Sequence, residues 1–257
     1  MFRLYDPQVS AYDLGTRLQK NHHIFSPHMP EADKVNSMFS RIAAKYDIAN
    51  RVLSLGIDRQ WRHQLVEETL AQKPALIVDL ATGSGDVAFA LEKAAPVGTK
   101  IIGMDFCQPM LDEADKKKPA HNSSIDFIQG DALDLPLETN SVDAITIAFG
   151  FRNFEDRAQG LKELNRVLKP GGRLLILEFS QPHPLYRPFY YFYLKHILPN
   201  LAAIFTKDKA AYTYLSDSIE AFPDRQGIST ELTAQNFTLI DAIPLALGSV
   251  ALHIAQA

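Results

Sequence analysis

The segment from Ala75 to Leu91 constrains the fold more than any other, because an apolar run ends there at a glycine-rich turn and helix-forming residues follow. This order predicts a strand, a tight loop and the start of a helix. Gly83 and Gly85 can adopt positive φ and carry no Cβ, so a ligand can approach the loop closely, near the free N–H groups of the helix N-terminus. The loop favours a nucleotide-like ligand, although glycine also serves purely steric needs in such loops.

Strands and helices alternate after this loop, which predicts an α/β fold: a parallel sheet with helices on both faces. The C-terminal residues are expected to add an antiparallel strand pair. Lys169–Gly172 is predicted to end a helix and turn the chain into the fifth strand, and Lys116–Pro119 to form a helix C-terminus. The predicted strands are Leu76–Leu80, Lys100–Met104, Ile125–Ile128, Ala144–Ala148, Arg173–Glu178, Thr238–Ile243 and Ser249–Ala255. The predicted helices are Val35–Tyr46, Asp58–Leu70, Pro109–Lys118, Arg157–Leu168, Tyr212–Phe222 and Ser229–Gln235.

Two regions depart from this alternation. Residues 1–33 show no sustained period and are predicted to form an irregular N-terminal arm, ahead of a single domain over residues 34–257. The paired histidines of this arm, His22 and His23, could bind a metal. A solvated tail is the simpler interpretation, and no metal site is predicted. Residues 184–222 are expected to form an apolar helical insertion, because tyrosine, phenylalanine and leucine crowd its first half.

Composition excludes several classes of protein. With 46% apolar residues, 22% charged residues and a formal net charge of −4, the chain resembles an ordinary globular protein. No basic stripe with interleaved aromatic residues is present, so no nucleic-acid partner is predicted. Cys107 is the only cysteine, which excludes an internal disulfide and suits a reducing cytoplasm. We expect no secretory signal and no membrane span, and hence a soluble or at most peripheral protein.

Two carboxylates follow predicted strands, and the carboxyl ends of such strands are where α/β sheets bind ligands. Asp105 ends the second strand, twenty residues after Gly85. There it can accept hydrogen bonds from both hydroxyl groups of a ribose. Asp131 follows the third strand, where it can accept a hydrogen bond from an adenine amino group. Together the two residues predict a site for an adenosine group.

The loop itself argues against a dinucleotide, because its glycines do not follow the Gly-x-Gly-x-x-Gly spacing. Asp79 and Asp86 flank the loop with negative charge, which would repel a diphosphate and favour a sulfonium or amino-acid cation. Either residue alone could merely cap the helix. Read together with Asp105 and Asp131, they favour S-adenosylmethionine over NAD.

Further motifs lie along the rest of the chain. They are Asp79–Asp86, Thr146–Phe154, Arg166–Ser180 and Val250–His253, with Met38–Asp47, Leu55–Arg62 and Tyr214–Ile219 followed by Phe222-Pro223. Together they resemble the signature stretches of the ubiquinone/menaquinone biosynthesis C-methyltransferase family over about residues 35–257. The glycine loop is common to many methyltransferases, whereas Phe149-Gly150-x-Arg152-Asn153 and the stretch that ends in Tyr46-Asp47 are specific to this family.

The resemblance implies a Rossmann-like class I methyltransferase: a mostly parallel seven-stranded sheet with an antiparallel C-terminal strand, helices on both faces and a helical lid. It implies S-adenosylmethionine as methyl donor and carbon methylation of a prenylated hydroquinone. The cofactor-binding residues then expected are Asp79, Gly83, Ser84, Gly85, Asp105, Phe106, Asp131, Ala132 and Ala148. Some family members have Asn in place of Asp131 and Ser in place of Ala148, and the alanine side chain cannot form a hydrogen bond.

Methylating an aromatic carbon requires an electron-rich ring, most simply a quinol that has lost a hydroxyl proton. Arg152 is a poor base but can stabilise a phenolate or polarise a water, and Asn153 can orient that water or a quinol oxygen. His253 titrates in the range of a base, although a histidine in a terminal strand is more often packed or at the surface. Tyr46, Phe149 and Tyr190 are assigned to the acceptor pocket together with Arg152; helix packing explains Tyr46 equally well.

The apolar segment of residues 184–205 then has two interpretations. It can contact the membrane interface at the inner face of the cell membrane and receive the prenyl tail. It can equally be a lid buried against the domain, or a homodimer contact. The alternative functions are methylation of another lipophilic or small-molecule acceptor, and a scaffold that has lost turnover; Arg152, Asn153 and the loop acids argue against the scaffold.

Overall fold

The computed structural model describes residues 32–43, 56–198 and 209–257. Its seven strands form one sheet in the order β3-β2-β1-β4-β5-β7-β6. Strand β7 runs antiparallel to both of its neighbours, and all other pairings are parallel, which confirms the predicted mixed sheet. The strands are β1 Leu76–Leu80, β2 Lys100–Asp105, β3 Asp126–Gln129, β4 Val142–Ala148, β5 Leu168–Phe179, β6 Thr238–Leu245 and β7 Val250–Gln256.

Eight α-helices lie within the described residues. They are α1 Ala32–Ile42, α2 Asp58–Leu70, α3 Asp86–Ala94, α4 Gln108–His121, α5 Arg157–Val167, α6 Arg187–Phe192, α7 Lys209–Ala221 and α8 Arg225–Ala234. Helix α6 continues as a π-helix, Tyr193–Ile197, and short 3₁₀ turns form at Phe151–Asn153 and Ala246–Gly248. No helix in the described ranges is long and apolar enough to cross a membrane.

The central strands are apolar because both of their faces are covered. Leu161 and Leu164 of α5, together with Leu232 of α8, pack on one face in a single buried cluster. Leu65 of α2 and Leu91 of α3 belong to the cluster on the other face. Burial of each such side chain contributes about 1.5–3 kcal/mol, so the two layers together hold the sheet rigid beneath the site.

A helical cover lies beside the sheet and has a core of its own. Helix α1 contributes Met38 and Ile42, the π-helix contributes Leu194, and α7 contributes Ala211 and Ile219. Helix α6, the π-helix and α7 lie within residues 184–222, where an apolar helical insertion was expected. Of the predicted irregular arm, the structure describes only residues 32 and 33, and both belong to α1.

The turn predicted after helix α5 is wrong, although the helix ends within one residue of its predicted end. Helix α5 ends at Val167, and Lys169–Gly172 already belongs to β5 rather than to a turn before it. Gly171 adopts φ +84° there, its N–H donates to the carbonyl of Ala257, and the β4–β5 register shifts at the same level. A local irregularity inside the strand therefore replaces the expected turn.

Helix α4 extends beyond its predicted end. It runs to His121 with Pro119 inside it, and Asn122 in the left-handed conformation closes it. The lysine run is therefore not simply a set of cations at a helix end. Lys117 reaches across to α3, where its Nζ lies 3.0 Å from the carbonyl oxygen of Ser84 and 3.0 Å from Oδ1 of Asp86.

Candidate active site

Two adjoining cavities lie at the carboxyl ends of β1, β2 and β4. The smaller has a volume of about 140 Å³ and the larger about 440 Å³. Both are lined by Phe39, Ala81, Gly83, Ala148 and Phe149. The glycine loop and the end of β4 therefore form the common boundary of the two cavities.

The glycine loop has the backbone shape that its sequence predicted. Gly83 and Gly85 adopt φ values of +57° and +85°, and Gly85 precedes α3. A Cβ at Gly85 would lie 2.8 Å from the ring of Phe127 and 2.9 Å from that of Phe89. Glycine is therefore required here both for conformation and for close packing.

Asp105 connects this loop to the end of β2. Its Oδ2 accepts from the N–H of Gly83 at 2.8 Å, and its Oδ1 accepts from the N–H of Cys107 at 2.8 Å. Burial raises the pKa of this carboxyl above its ordinary value, although the backbone donors oppose the shift. The N–H of Phe106 also donates to this carboxylate. Because a carboxylate accepts about four hydrogen bonds, acceptor capacity remains for a ligand, and the residue lines the smaller cavity.

The other residues predicted to bind adenosine gather around the same smaller cavity. Asp131, Ala132, Phe106 and Ala148 all line it. Asp131 accepts from the N–H of Leu133 at 2.8 Å, which leaves its second oxygen for a ligand. Ala148 is the last residue of β4 and offers only a methyl group. The structure therefore brings together residues from three separate strand ends, as predicted.

Asp79 lies beneath the loop rather than on its surface. It is buried, and its two carboxylate oxygens accept from the hydroxyl groups of Thr82 at 2.6 Å and Thr146 at 2.7 Å. Burial raises the pKa of Asp79 to about 6, against the opposing effect of these hydroxyls. The carboxylate therefore ties β1 to β4 below the site.

The argument from Asp86 for a cationic ligand is wrong. Its Oδ2 lies 2.5 Å from Nη1 of Arg62, and its Oδ1 lies 3.0 Å from Nζ of Lys117. Burial would raise the pKa of Asp86, but the two cations outweigh it and the pKa is lowered. The loop side of the site is therefore balanced in charge. Nothing in the sequence indicated that Arg62 and Lys117 pair with Asp86, because both residues are distant from it along the chain.

Arg152 sits in the 3₁₀ turn after β4 and lines the larger cavity. Its Nη1 lies 3.0 Å from Oε1 of Glu178, and its backbone N–H donates to Oε2 of the same residue at 3.2 Å. Nη1 also donates to the carbonyl of Phe149, and the guanidinium lies 5.2 Å from the ring centre of Phe179. Glu178 was missed as a site residue, although its place at the end of β5 was a signal for it.

The remaining residues of the predicted acceptor site lie on both sides of the cavity boundary. Asn153 lines the smaller cavity, while its Oδ1 accepts from the hydroxyl of Tyr214 at 3.0 Å. Phe149, at φ +58°, lies with its ring 4.9 Å from that of Phe179. Tyr190 lines the larger cavity, where burial raises its pKa. Tyr46 lies outside the described residues.

His253 is not in the site. It lies in the middle of β7, paired in register with Ile176 and Ala242, and it lines neither cavity. It is buried, and its Nε2 is 2.9 Å from the carbonyl oxygen of Arg225 at the start of α8. Burial lowers its pKa, so the ring stays neutral as part of the packing between β7 and α8. The prediction of a catalytic histidine there is wrong.

The backbone is strained where the cavities meet. Ala81 after β1 and Phe149 after β4 both adopt the left-handed conformation, with φ +53° and +58°. Such positions cost about 1–3 kcal/mol each and concentrate at functional sites. A Cβ at Gly150 would overlap the methyl group of Ala81, so the side chain of Ala81 packs directly against the backbone of Gly150.

The donors and acceptors around the smaller cavity fit S-adenosylmethionine. Asp105 keeps acceptor capacity that would suit a ribose hydroxyl, Asp131 keeps an oxygen that would suit an adenine amino group, and Gly83 leaves the loop backbone open. The sheet order, the loop and these strand-end carboxylates define a class I S-adenosylmethionine-dependent methyltransferase.

The chain belongs to the ubiE/COQ5 methyltransferase family, whose model matches residues 28–257. It is 47% identical to the demethylmenaquinone methyltransferase of Deinococcus radiodurans over 79% of this chain and 84% of that protein. It is 43% identical to the enzyme of the same name from Thermus thermophilus, over 85% and 99% of the two chains. It is 40% identical to the ubiquinone/menaquinone biosynthesis C-methyltransferase UbiE of Geotalea daltonii, over 88% and 97%.

Solved structures share the fold at low sequence identity. A methyltransferase from Aquifex aeolicus is 18% identical, with a TM-score of 0.55 over 74% of this chain and 88% of that one. The [4+2]-cyclase SpnF is 14% identical, with a TM-score of 0.67 over 90% and 97%. Because a cyclase shares it, the fold alone does not define the acceptor.

Proposed function

We propose that this protein transfers a methyl group from S-adenosylmethionine to a ring carbon of a prenylated hydroquinone, either demethylmenaquinol or the corresponding benzoquinol. The names of its relatives, demethylmenaquinone methyltransferase and ubiquinone/menaquinone biosynthesis C-methyltransferase, support this substrate class. The observation that carries the proposal is the larger cavity, which adjoins the smaller cavity at Ala148 and Phe149. The smaller cavity is the one proposed to hold the cofactor, and it is called the cofactor cavity below.

The larger cavity has the two halves that such an acceptor needs. Next to the cofactor cavity it is lined by the aromatic rings of Trp61, Phe149 and Phe179 and by Arg152, which suits a hydroxylated ring. The helical cover forms another wall, where aliphatic side chains lie beside several tyrosines. The aliphatic residues are Met38, Ile42, Leu194, Leu198 and Ile219. At about 440 Å³, it accommodates a quinol ring with the first part of its tail.

The residues at the ring end would prepare the acceptor. Arg152 would donate hydrogen bonds to a quinol oxygen and stabilise the phenolate as the hydroxyl proton leaves. Glu178 balances the charge of Arg152, so this stabilisation comes from directed N–H donors rather than from an isolated cation. Asn153 would orient the same oxygen or a water. When bound, S-adenosylmethionine supplies an electrophilic methyl group to the ring carbon.

We propose that water accepts the hydroxyl proton. The described carboxylates lining the larger cavity are all engaged: Asp58 and Asp86 with Arg62, and Asp79 with two threonine hydroxyls. No histidine lines the larger cavity within the described residues. As the methyl group is transferred, S-adenosylhomocysteine is the leaving group. The hydrogen on the methylated carbon then leaves as a proton, which restores the aromatic ring as a phenolate. The phenolate oxygen takes a proton back from water, so one proton is released overall.

The experiment is a transfer assay with S-adenosylmethionine labelled in its methyl group and a panel of reduced acceptors. We expect labelled carbon-methyl product from demethylmenaquinol and benzoquinol analogues that carry at least one isoprene unit. We expect much less product from the same rings without a prenyl chain, because the aliphatic wall then binds nothing. Transfer to an unrelated lipophilic or small-molecule acceptor, with none to quinols, would overturn the proposal in favour of that alternative.

We further propose transient contact with the inner face of the cell membrane through the outer side of α6 and the turn that precedes it. Leu185, Phe189 and Phe192 are 81%, 72% and 60% exposed and follow helical spacing, while Tyr190 on the opposite side lines the larger cavity. The sequence carries no acidic residue between Glu178 and Asp208, and Arg187 lies beside the apolar residues. An apolar face flanked by cations suits an anionic lipid surface, from which a prenylated quinol can be taken up.

Vesicle sedimentation tests this contact. The double variant Phe189→Ser/Phe192→Ser is expected to lose at least about 10-fold in affinity for vesicles with 30 mol% anionic lipid, since each ring buries apolar area in the interface. Val97→Ser, at an exposed apolar position outside the cover, is the matched control and should bind as the parent does. If the double variant keeps vesicle binding and instead dissociates a homodimer, the surface is a subunit interface and the membrane proposal is wrong.

A further inference from the structure

One hydrogen bond joins the helical cover to the 3₁₀ turn that carries Arg152 and Asn153. The hydroxyl of Tyr214, in α7, donates to Oδ1 of Asn153 at 3.0 Å. Tyr214 lines the larger cavity and Asn153 the smaller one. This bond therefore crosses the boundary at which the methyl group must pass from donor to acceptor.

The geometry determines which atoms of the Asn153 amide remain available. An amide side chain has one oxygen acceptor and an NH₂ donor, and the two ends can exchange by rotation. The phenol of Tyr214 occupies the oxygen, and Nδ2 has no acceptor among the described residues. Burial raises the pKa of Tyr214, so its hydroxyl keeps the proton that it donates. The amide is thereby held with its N–H donors free for an oxygen atom of the acceptor.

The turn is held from the opposite side by the sheet. Glu178 at the end of β5 accepts from the backbone N–H and Nη1 of Arg152. No described residue of the sheet bonds to the Asn153 side chain, which accepts from Tyr214 of the cover. The sheet therefore fixes Arg152, whereas the cover fixes Asn153.

We propose that Tyr214 is a positioning residue, which acts through Asn153 and makes the orientation of that amide depend on the docking of α7. The proposal rests on the role given to Asn153 above. Without the hydroxyl of Tyr214, the amide can rotate and present its oxygen to a quinol oxygen, which repels it. Acceptor positioning falls while the cofactor site, formed by other residues, stays intact.

A double-mutant cycle tests this. Tyr214→Phe should lower kcat for a prenylated quinol about 10-fold, the value of one directed hydrogen bond. The affinity for S-adenosylmethionine, measured by calorimetry, should stay within about twofold. In an Asn153→Ala background, the same Tyr214→Phe change should lower kcat by less than about twofold, because the group through which it acts is absent. If the double variant lost kcat by the product of the two single-variant losses, the two residues would act independently and the proposal would be overturned.

Two further variants separate positioning from structure. Asn153→Asp keeps an oxygen acceptor for Tyr214 but removes the donor, so it should keep the parent melting temperature and lose turnover as Asn153→Ala does. Tyr191→Phe serves as the matched control, because it removes a different hydroxyl, on α6, that donates to Gln181. This variant should keep the parent kcat. A comparable loss in Tyr191→Phe would show a general loosening of the cover and overturn the positioning role. Full activity in Asn153→Ala would instead remove the role proposed for Asn153 itself.

Discussion

Replacing Asp105 with alanine is expected to weaken S-adenosylmethionine binding at least about 100-fold, since hydrogen bonds to a charged group contribute about 1.5–3 kcal/mol each. Two such bonds to the ribose hydroxyls would be lost. The N–H groups of Gly83 and Cys107 would also lose their acceptor, which loosens the glycine loop. Isothermal calorimetry with S-adenosylmethionine and with S-adenosylhomocysteine measures the effect.

Two further variants separate binding from folding. Asp105→Asn keeps one oxygen acceptor and nearly the same volume, so we expect an intermediate loss of affinity with little change in melting temperature. Asp126→Ala removes an exposed acid from the neighbouring strand β3, away from both cavities, and should bind the cofactor as the parent does. An Asp105→Ala protein that is folded and binds within about threefold of the parent would refute the assignment.

Replacing Arg152 is expected to produce the largest loss of turnover, at least about 100-fold in kcat, because directed donors to a developing anion contribute about 2.7–4 kcal/mol. A single substitution also leaves Glu178 buried without its partner. Breaking a buried ion pair in this way costs about 3–5 kcal/mol of stability. Arg152→Met alone therefore cannot tell a catalytic effect from a structural one.

The pair can be replaced as a whole to separate the two effects. In Arg152→Met/Glu178→Leu the buried charges are gone together, and such exchanges are often neutral or stabilising. We expect this double variant to recover most of the melting temperature lost by Arg152→Met while kcat stays at the low level. The rates come from the labelled-methyl assay and the melting temperatures from calorimetry. Recovery of turnover together with stability would mean that Arg152 serves only to neutralise Glu178.

The parts of the site that depend on local sequence were predictable. The glycine loop could be identified because an apolar run is followed by closely spaced glycines. Such a sequence is typical of a strand that ends in a tight turn with positive φ. The placement of Asp105 and Asp131 at one cavity was predictable because parallel strands bring their carboxyl ends to one edge of the sheet; their binding roles stay predictions. The antiparallel strand pair at the C-terminus followed from two short apolar segments near the end of the chain.

The parts that depend on tertiary register were not predictable. The charge of Asp86 could be judged only once Arg62 and Lys117 were known to face it, and they lie 24 and 31 residues away. The pairing of Glu178 with Arg152 depends on the packing of a 3₁₀ turn against β5. His253 looked suitable by its chemistry, but only the sheet register shows that it faces α8 rather than the cavities.

The contact between Gly150 and Ala81 limits how the two loops can vary in sequence. Any side chain at position 150 overlaps the alanine methyl group, whereas glycine at position 81 would remove the overlap and suit the φ of +53° found there. A side chain at position 150 is therefore tolerated only if Ala81 has already been replaced by glycine. If position 150 changes first, the intermediate protein is less stable. The order of substitutions, and not only their identity, restricts which descendants of this sequence keep both cavities.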